Sequence, residues 1–111
     1  MNTIEHFING KKNSGTSKRT SKVFNPATGE QTAEVKLAST QDVDIAVQAA
    51  KKAFASWSNK PPLQRARIMF KFKELIEKNS EELTKIIVSE HGKVFDDAKG
   101  ELTRGLEVVE F

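Results

Sequence analysis

The apolar repeat between Pro61 and His91 constrains the fold more than any other feature of this chain. Its large apolar side chains recur at steps of three, four or seven residues: Met69, Phe72, Ile76, Leu83, Ile86 and Ile87. This spacing follows the 3.6-residue period of an α-helix. Pro62 suits a first helical turn, where the N–H that proline lacks has no partner within the helix. Asn79 and Glu82 have capping-box spacing, so we predict two helices, over about 62–78 and 80–91.

The residues before this repeat predict a short antiparallel β layer over about residues 6–37, followed by another helix. Asn9-Gly10 after an apolar pair is a strong hairpin signal, and residues 25–29 contain the proline and glycine of a tight reversal. Residues 33–37 alternate between apolar and charged side chains, which is typical of a half-buried strand. Ser39 then provides a hydroxyl cap for a helix over about 40–57.

The last predicted helix, over about 95–111, has two apolar sides. One side carries Phe95, Ala98, Leu102, Leu106 and Val109, and the opposite side carries Gly100, Arg104, Val108 and Phe111. The outer face of a helix in a finished domain is normally polar, so the second apolar side predicts a partner or further chain that covers it. The pattern also stops at Phe111 without a closing residue. We therefore expect residues 1–111 to be a single truncated segment.

Composition and charge exclude several classes of protein. The chain has 111 residues, 37% of them hydrophobic, and contains no apolar run near the ~18 residues of a membrane span. Its first residues lack the pattern of a secretory signal, so we expect a cytoplasmic protein. The net charge of +3 is spread sparsely over residues 1–38, without the interleaved aromatic residues of single-strand binders. We therefore predict no nucleic-acid and no membrane partner.

The chemically reactive residue types are sparse and scattered. Cysteine is absent, which excludes a disulfide, a thiolate metal site and a thiol nucleophile in this chain. His6 and His91 lie in different predicted elements, with no second ligand near either. The serine and threonine hydroxyls have no neighbouring His–Asp pair that would activate them. The residues themselves therefore predict no metal site and no catalytic group.

Five pieces of the sequence resemble, in order and spacing, the start of an NAD(P)-dependent aldehyde dehydrogenase. They are Phe7-Ile8-Asn9-Gly10-Lys11, Val23-Phe24-Asn25-Pro26-Ala27-Thr28-Gly29-Glu30, Ala53-Phe54-Ala55-Ser56-Trp57, Arg65-Ala66-Arg67-Ile68-Met69 and Glu90-His91-Gly92-Lys93. Within that superfamily, residues 65–72 and 99–111 are most similar to the CoA-acylating methylmalonate-semialdehyde branch. His91 is a departure, because the superfamily more often has Thr or Asn there; it touches a helix end and no catalytic motif.

The resemblance implies the N-terminal part of an α/β aldehyde dehydrogenase, within its NAD-binding domain region. Residues 1–38 would form the strand part and residues 39–111 the helical part. In this branch a cysteine thiolate attacks the aldehyde, hydride passes to NAD, and the acyl group passes to CoA with loss of carbon dioxide. The substrates implied are methylmalonate or malonate semialdehyde, the products are propionyl-CoA or acetyl-CoA in valine or inositol catabolism, and the intact enzyme would be a homo-oligomer.

This chain lacks most of what that reaction needs. It has no cysteine, and no glycine-rich turn between a strand and a helix that would bind NAD. The resemblance therefore implies no catalytic, cofactor-binding or metal-binding residue here, and we expect the chain to be inactive alone. The alternatives are another member of the aldehyde dehydrogenase family, or a non-enzymatic helical module that associates with itself.

Arg104 is the one residue to which the resemblance gives a substrate role. It matches the arginine that binds the carboxylate end of the substrate in the methylmalonate-semialdehyde branch. A guanidinium group suits this role because it stays charged and donates paired hydrogen bonds to a carboxylate. Gly100 and Gly105 leave room around it. The alternative is an ordinary surface arginine without a substrate role, for example one paired with Glu101, Glu107 or Asp97.

Overall fold

The structure, a computed structural model, describes residues 1–111 and contains five strands followed by four helices. The strands are β1 (Asn2–Ile4), β2 (His6–Ile8), β3 (Lys11–Asn13), β4 (Thr20–Phe24) and β5 (Gln31–Lys36). The helices are α1 (Thr40–Trp57), α2 (Pro62–Lys78), α3 (Ser80–His91) and α4 (Phe95–Glu110). The predicted order of a strand layer and four helices is confirmed. The chain divides into two units, residues 1–24 with 30–59 and residues 25–29 with 60–111.

The strands of the first unit form two small sheets. β2 and β3 make an antiparallel hairpin around Asn9 (φ 53°) and Gly10 (φ 75°), the two positive angles that a type I′ turn needs. β4 and β5 are also antiparallel, as predicted. The sequence did not predict β1, which pairs in parallel with β5 and places Asn2 opposite Ala33. Parallel neighbours need a long connection, and here it consists of the β2–β3 hairpin, the following loop, β4 and the turn after β4.

A buried carboxylate ties the start of α1 to the loop that precedes β4. Asp42 is 3% exposed, and its two oxygens accept hydrogen bonds from the backbone N–H groups of Ser39 (2.8 Å) and Thr16 (2.8 Å). The Ser39 hydroxyl oxygen accepts in return from the N–H of Asp42 at 3.1 Å, which completes a capping box. These hydrogen bonds, that of Ser39 above all, lower the pKa of Asp42 to about 2 against the opposing effect of burial.

Gly15 allows the loop to come this close to Asp42. A Cβ atom at Gly15 would lie 2.9 Å from Asp42 Oδ2 and 3.0 Å from the His6 ring. The residue also has φ +72°, a conformation that side-chain-bearing residues rarely adopt. Space and backbone angle therefore both favour glycine at this position.

In the second unit α4 packs against both α2 and α3. Ala98 on α4 is completely buried, and Thr84 on α3 is 1% exposed and donates its hydroxyl hydrogen to the carbonyl of Ser80 at 2.7 Å. α3 ends at Gly92, which has φ +81° and donates its N–H to the Val88 carbonyl at 2.8 Å, as predicted from the glycine. None of the four helices combines the length and the hydropathy needed to cross a bilayer.

The break between α2 and α3 lies at Asn79, as predicted, but the predicted capping box is wrong. The Asn79 side chain makes no capping hydrogen bond to α3. Its amide group instead donates to the Leu75 carbonyl of α2 at 2.7 Å. Asn79 therefore satisfies a free carbonyl at the end of α2, and α3 begins without a side-chain cap.

We expect the stability of the chain to fall as the pH is lowered from about 5 to about 2. The pKa of Asp42 is about 2 in the folded chain and near 3.8 when unfolded, so its stabilising contribution is complete above the unfolded value and is lost as the pH falls through the folded one. Denaturant titrations across this range would measure the decline. Asp42→Asn should lower the free energy of unfolding at neutral pH and reduce the decline.

The matched control is Asp44→Asn, because Asp44 is exposed on the same helix and makes no hydrogen bond. This variant should keep the pH dependence of the parent chain. An equal reduction of the decline in both variants would show that Asp42 has no special part in it.

Candidate functional site

Arg104 lies two turns before the end of α4, on a solvent-exposed part of the helix. Its guanidinium group makes no hydrogen bond and no ion pair with any residue of the chain. An arginine normally satisfies its donors with water or with acceptors, and this one keeps all five N–H groups available. The side chain is therefore free to bind an anionic group from outside the chain.

The guanidinium end of the Arg104 side chain lies beside Gly100. Side chains on a helix lean toward its N-terminus, which brings residue 104 over residue 100, one turn earlier. A Cβ atom built at Gly100 would lie 3.6 Å from Arg104 Nη1, an ordinary van der Waals distance. A Cβ atom at Gly105 would have no atom within 4 Å. A methyl group at Gly100 would therefore fit beside the Arg104 guanidinium group without displacing it.

The neighbouring acids do not neutralise Arg104. Glu101 accepts a hydrogen bond from Lys93 Nζ at 2.8 Å. The pKa of Glu101 is lowered, mainly by this bond to Lys93, with small contributions from the charges of His91 and Arg104. Neither Glu107 nor Asp97 forms an ion pair with Arg104. Arg104 thus forms no ion pair with any of the three acids, Glu101, Glu107 and Asp97.

The side of α4 opposite to Ala98 is uncovered within the chain. Val108 is 76% exposed and the Phe111 side chain is fully exposed, as the two apolar sides of the helix predicted. These residues form one wall of a groove whose other wall is α2. We call this the α2–α4 groove; it has a volume of about 470 Å³ and is lined by Ala66, Met69, Phe70, Val108, Val109, Glu110 and Phe111.

Sequence reasoning placed the apolar residues of α2 in a core and so missed their part in this groove. Phe70 is 58% exposed, and no residue of α2 is buried. A signal was available, because Ile68 and Leu75 widen the apolar stripe of α2 beyond one face. Such a wide stripe is typical of a helix that is covered on more than one side.

The two histidines lie in different elements, and the side chain of neither forms a hydrogen bond or an ion pair within the chain. His6 lies beside Gly15, and its Nε2 atom is buried without a hydrogen-bond partner. His91 is in the last turn of α3. No group of three or more His, Cys, Asp or Glu side chains is placed to hold a metal ion.

The model of the aldehyde dehydrogenase family matches residues 13–111, which is nearly the whole chain. The chain belongs to this family. Among curated relatives, it is 44% identical over 111 residues to the malonate-semialdehyde dehydrogenase of Pseudomonas aeruginosa; this match covers 100% of the chain and 22% of the relative. It is 47% identical over 108 residues to malonate-semialdehyde dehydrogenase 1 of Geobacillus kaustophilus; that match covers 97% of the chain and 22% of the relative. The aldehyde dehydrogenase resemblance is confirmed.

Solved structures of similar proteins have nearly the same backbone. A protein of Sinorhizobium meliloti, assigned as a methylmalonate-semialdehyde dehydrogenase and complexed with NAD, matches with a TM-score of 0.97 and 50% identity, covering 100% of this chain and 23% of that one. The methylmalonate-semialdehyde dehydrogenase of Oceanimonas doudoroffii matches with a TM-score of 0.95 and 52% identity, covering 99% and 22%. This aldehyde dehydrogenase chain thus spans less than a quarter of the length of these relatives.

We expect Gly100→Ala to stabilise the chain by about 0.5–1 kcal/mol, because alanine loses less backbone entropy than glycine inside a helix. The added methyl group meets Arg104 only at an ordinary contact distance of 3.6 Å. Thermal or denaturant unfolding would measure the gain.

Gly92→Ala is the control, because we expect it to change the free energy of unfolding in the opposite direction. It should destabilise the chain by about 1–2 kcal/mol because its positive φ is unfavourable for alanine. Its Cβ would also lie 2.9 Å from the Pro26 ring. A loss of stability in Gly100→Ala would contradict the space that we assign beside Arg104.

Proposed function

We propose that this chain is the N-terminal part of an NAD-dependent, CoA-acylating dehydrogenase of methylmalonate or malonate semialdehyde. The curated relatives named above act, by their names, on malonate semialdehyde, and the two solved structures carry the name methylmalonate-semialdehyde dehydrogenase. One of these structures contains NAD, which supports NAD as the cofactor of the intact enzyme. CoA as acyl acceptor comes from the resemblance of residues 65–72 and 99–111 to the acylating branch.

The observation that carries this proposal is the free guanidinium group of Arg104. Semialdehydes of malonate and methylmalonate carry a carboxylate at the end opposite to the aldehyde, and plain aldehydes do not. A guanidinium group binds a carboxylate through two parallel hydrogen bonds and holds it in one orientation. In the intact enzyme Arg104 would bind this carboxylate and thereby direct the aldehyde carbon toward the catalytic cysteine.

The chain contributes binding and orientation, and the remaining chemistry lies outside it. The thiolate that attacks the aldehyde has no counterpart among residues 1–111, since none is a cysteine. NAD accepts the hydride when bound to the intact enzyme. In this proposal the substrate is a small aldehyde, the intact enzyme is a homo-oligomer, and a cytoplasmic location stays a prediction from the sequence.

A non-enzymatic, self-associating module is the second candidate function. Large apolar side chains such as Phe70 and Val108 are exposed, which favours association with another surface. The two candidates differ at Arg104, because a module that only self-associates has no use for a carboxylate-binding arginine. Carboxylate selectivity in the intact enzyme therefore distinguishes them.

We expect Arg104→Ala in the intact enzyme to lower kcat/KM for malonate semialdehyde about 10- to 100-fold relative to propionaldehyde. This range corresponds to the loss of hydrogen bonds to a charged group, about 1.5–3 kcal/mol. Steady-state kinetics with both aldehydes would measure the ratio. Arg104→Lys should recover part of the selectivity, since it restores the charge but not the paired geometry.

Lys99→Ala is the matched control, because Lys99 is an exposed cation on the same helix without an ion-pair partner. It should leave the ratio of the two kcat/KM values unchanged. If Arg104→Ala preserves the preference for the carboxylated aldehyde, Arg104 does not bind the substrate carboxylate.

We expect the 111-residue chain alone to form no NADH from methylmalonate semialdehyde, NAD and CoA. The chain has no cysteine whose thiolate could attack the aldehyde carbon, and this attack precedes the transfer of hydride to NAD. Absorbance at the NADH band would report turnover, with an intact relative as positive control. Turnover above background in the purified chain would require a different nucleophile and would overturn the proposed division of roles.

A further inference from the structure

The six asparagine side chains of the chain differ in what they bind. Four make a hydrogen bond to a backbone group: the amide oxygens of Asn13 and Asn25 accept from the N–H groups of Gly15 (2.7 Å) and Ala27 (2.9 Å), and the amide nitrogens of Asn59 and Asn79 donate to the carbonyls of Ala55 (2.8 Å) and Leu75 (2.7 Å). The side chains of Asn2 and Asn9 make none, and both residues are exposed. These two carboxamide groups are therefore free to rotate toward the backbone that follows them.

Asn9 is followed by glycine, which opens its carboxamide carbon to attack from the backbone. The peptide nitrogen of the residue after an asparagine can bond to the asparagine Cγ atom and close a cyclic imide. A side chain on that next residue hinders the approach, and Gly10 has none. A Cβ atom built at Gly10 would have no atom within 4 Å, so no packed neighbour blocks the approach either.

Asn2 lacks such an open neighbour. Thr3, which follows it, is branched at Cβ and pairs with Glu34 in the ladder between β1 and β5. The branched side chain crowds the peptide nitrogen, and the pairing holds the backbone extended. Among the asparagines of this chain, Asn9 alone combines an unbound carboxamide group with an unhindered neighbouring nitrogen.

The tip of the β2–β3 hairpin also leaves the attacking group without a partner. The pairing of the two strands ends at Ile8 and Lys11, so Asn9 and Gly10 lie outside the ladder. The N–H of Gly10 donates no hydrogen bond to any residue of the chain. Loosening the tip disturbs few contacts, and such local opening costs much less free energy than unfolding. Water and hydroxide reach both residues, because both are exposed.

We propose that Asn9 is a site of spontaneous covalent modification, at which the Gly10 nitrogen converts the asparagine into a mixture of aspartate and isoaspartate. Hydroxide removes the Gly10 N–H proton, the nitrogen bonds to Asn9 Cγ, and the bond from Cγ to Nδ2 breaks. The leaving nitrogen takes a proton from water and departs as ammonia, which leaves the cyclic imide. Water then opens the imide: cleavage at Cγ gives aspartate, and cleavage at the main-chain carbonyl gives isoaspartate. No atom is oxidised or reduced.

Both products change the hairpin. Each adds a negative charge at residue 9, and isoaspartate also inserts an extra carbon atom into the main chain. The turn joins its strands through two residues with positive φ and an ordinary backbone. With a longer link Ile8 and Lys11 no longer face each other, so isoaspartate should weaken the pairing of β2 with β3. The modification needs no substrate and no cofactor, and it is therefore independent of the proposed function.

Incubation of the folded chain at mildly alkaline pH, with peptide mapping by mass spectrometry, would follow all six asparagines at once. We expect Asn9 to convert at least about tenfold faster than Asn13, because glycine leaves the attacking nitrogen open and the Asn13 amide is already bonded. Both isomers should appear at residue 9. An isoaspartyl methyltransferase, which transfers a methyl group from S-adenosylmethionine to the isoaspartyl carboxylate, would label the isoaspartate in the digested peptides.

Asn9→Gly removes the carboxamide group and keeps the turn, since glycine readily takes the φ of 53° found at this position. Its methyl labelling should fall to background. Asn13→Gln is the matched control, because it removes an asparagine from the same hairpin, and it should keep the labelling of the parent chain. Circular dichroism would check the folding of each variant.

Conversion of Asn13 as fast as Asn9 would overturn the proposal, as would labelling that survives in Asn9→Gly or that is lost equally in Asn13→Gln. Formation of aspartate without isoaspartate at residue 9 would overturn it as well, because direct hydrolysis of the carboxamide needs no attack by the Gly10 nitrogen.

Discussion

Close packing at Ala98 is the contact on which the arrangement of residues 60–111 depends. This residue is completely buried where α4 meets its neighbouring helices, and its small side chain lets the backbones approach closely. Once this face of α4 points inward, the helical period turns Arg104 and Val108 outward. One buried alanine thus decides which side chains of the helix are available to a substrate or to a covering segment.

In the first unit, residues 1–24 with 30–59, the main contact between the loop and α1 is polar. Asp42 receives hydrogen bonds from the starts of two separate segments, at Ser39 and at Thr16, and so fixes the loop against the helix. A buried carboxylate with satisfied oxygens can replace apolar burial where few large side chains are available. Ala33 and Ala98 are the only apolar residues of the chain that are buried, and only Ala98 is completely so. The apolar surface left exposed is consistent with a chain that is a portion of a longer enzyme.

The candidate site shows how one helix can serve two purposes. The Arg104 guanidinium group lies beside Gly100, while the neighbouring acid Glu101 is paired with Lys93. The arginine is therefore left without an ion pair inside the chain. Toward its end the same helix presents Val108 to the α2–α4 groove. One helix thus carries both the unpaired arginine and an exposed apolar surface.

The sequence by itself determined the helices and their order, because apolar period, proline and glycine act locally: Pro62 and Gly92 mark helix ends where they were predicted. Through its resemblance to a family, the sequence also indicated Arg104 as a candidate for substrate binding, and that role stays a prediction. Only the tertiary structure decided that β1 pairs in parallel with β5 and that Asp42 also accepts a hydrogen bond from Thr16. It also showed that the Asn79 side chain bonds to α2 in place of α3, and that Arg104 forms no ion pair with a neighbouring acid. The β1 pairing and the bond between Thr16 and Asp42 join segments that are distant in sequence, so local patterns do not contain them. Asn79 instead had two local acceptors or donors within reach, one in each adjoining helix, and sequence spacing does not distinguish between them.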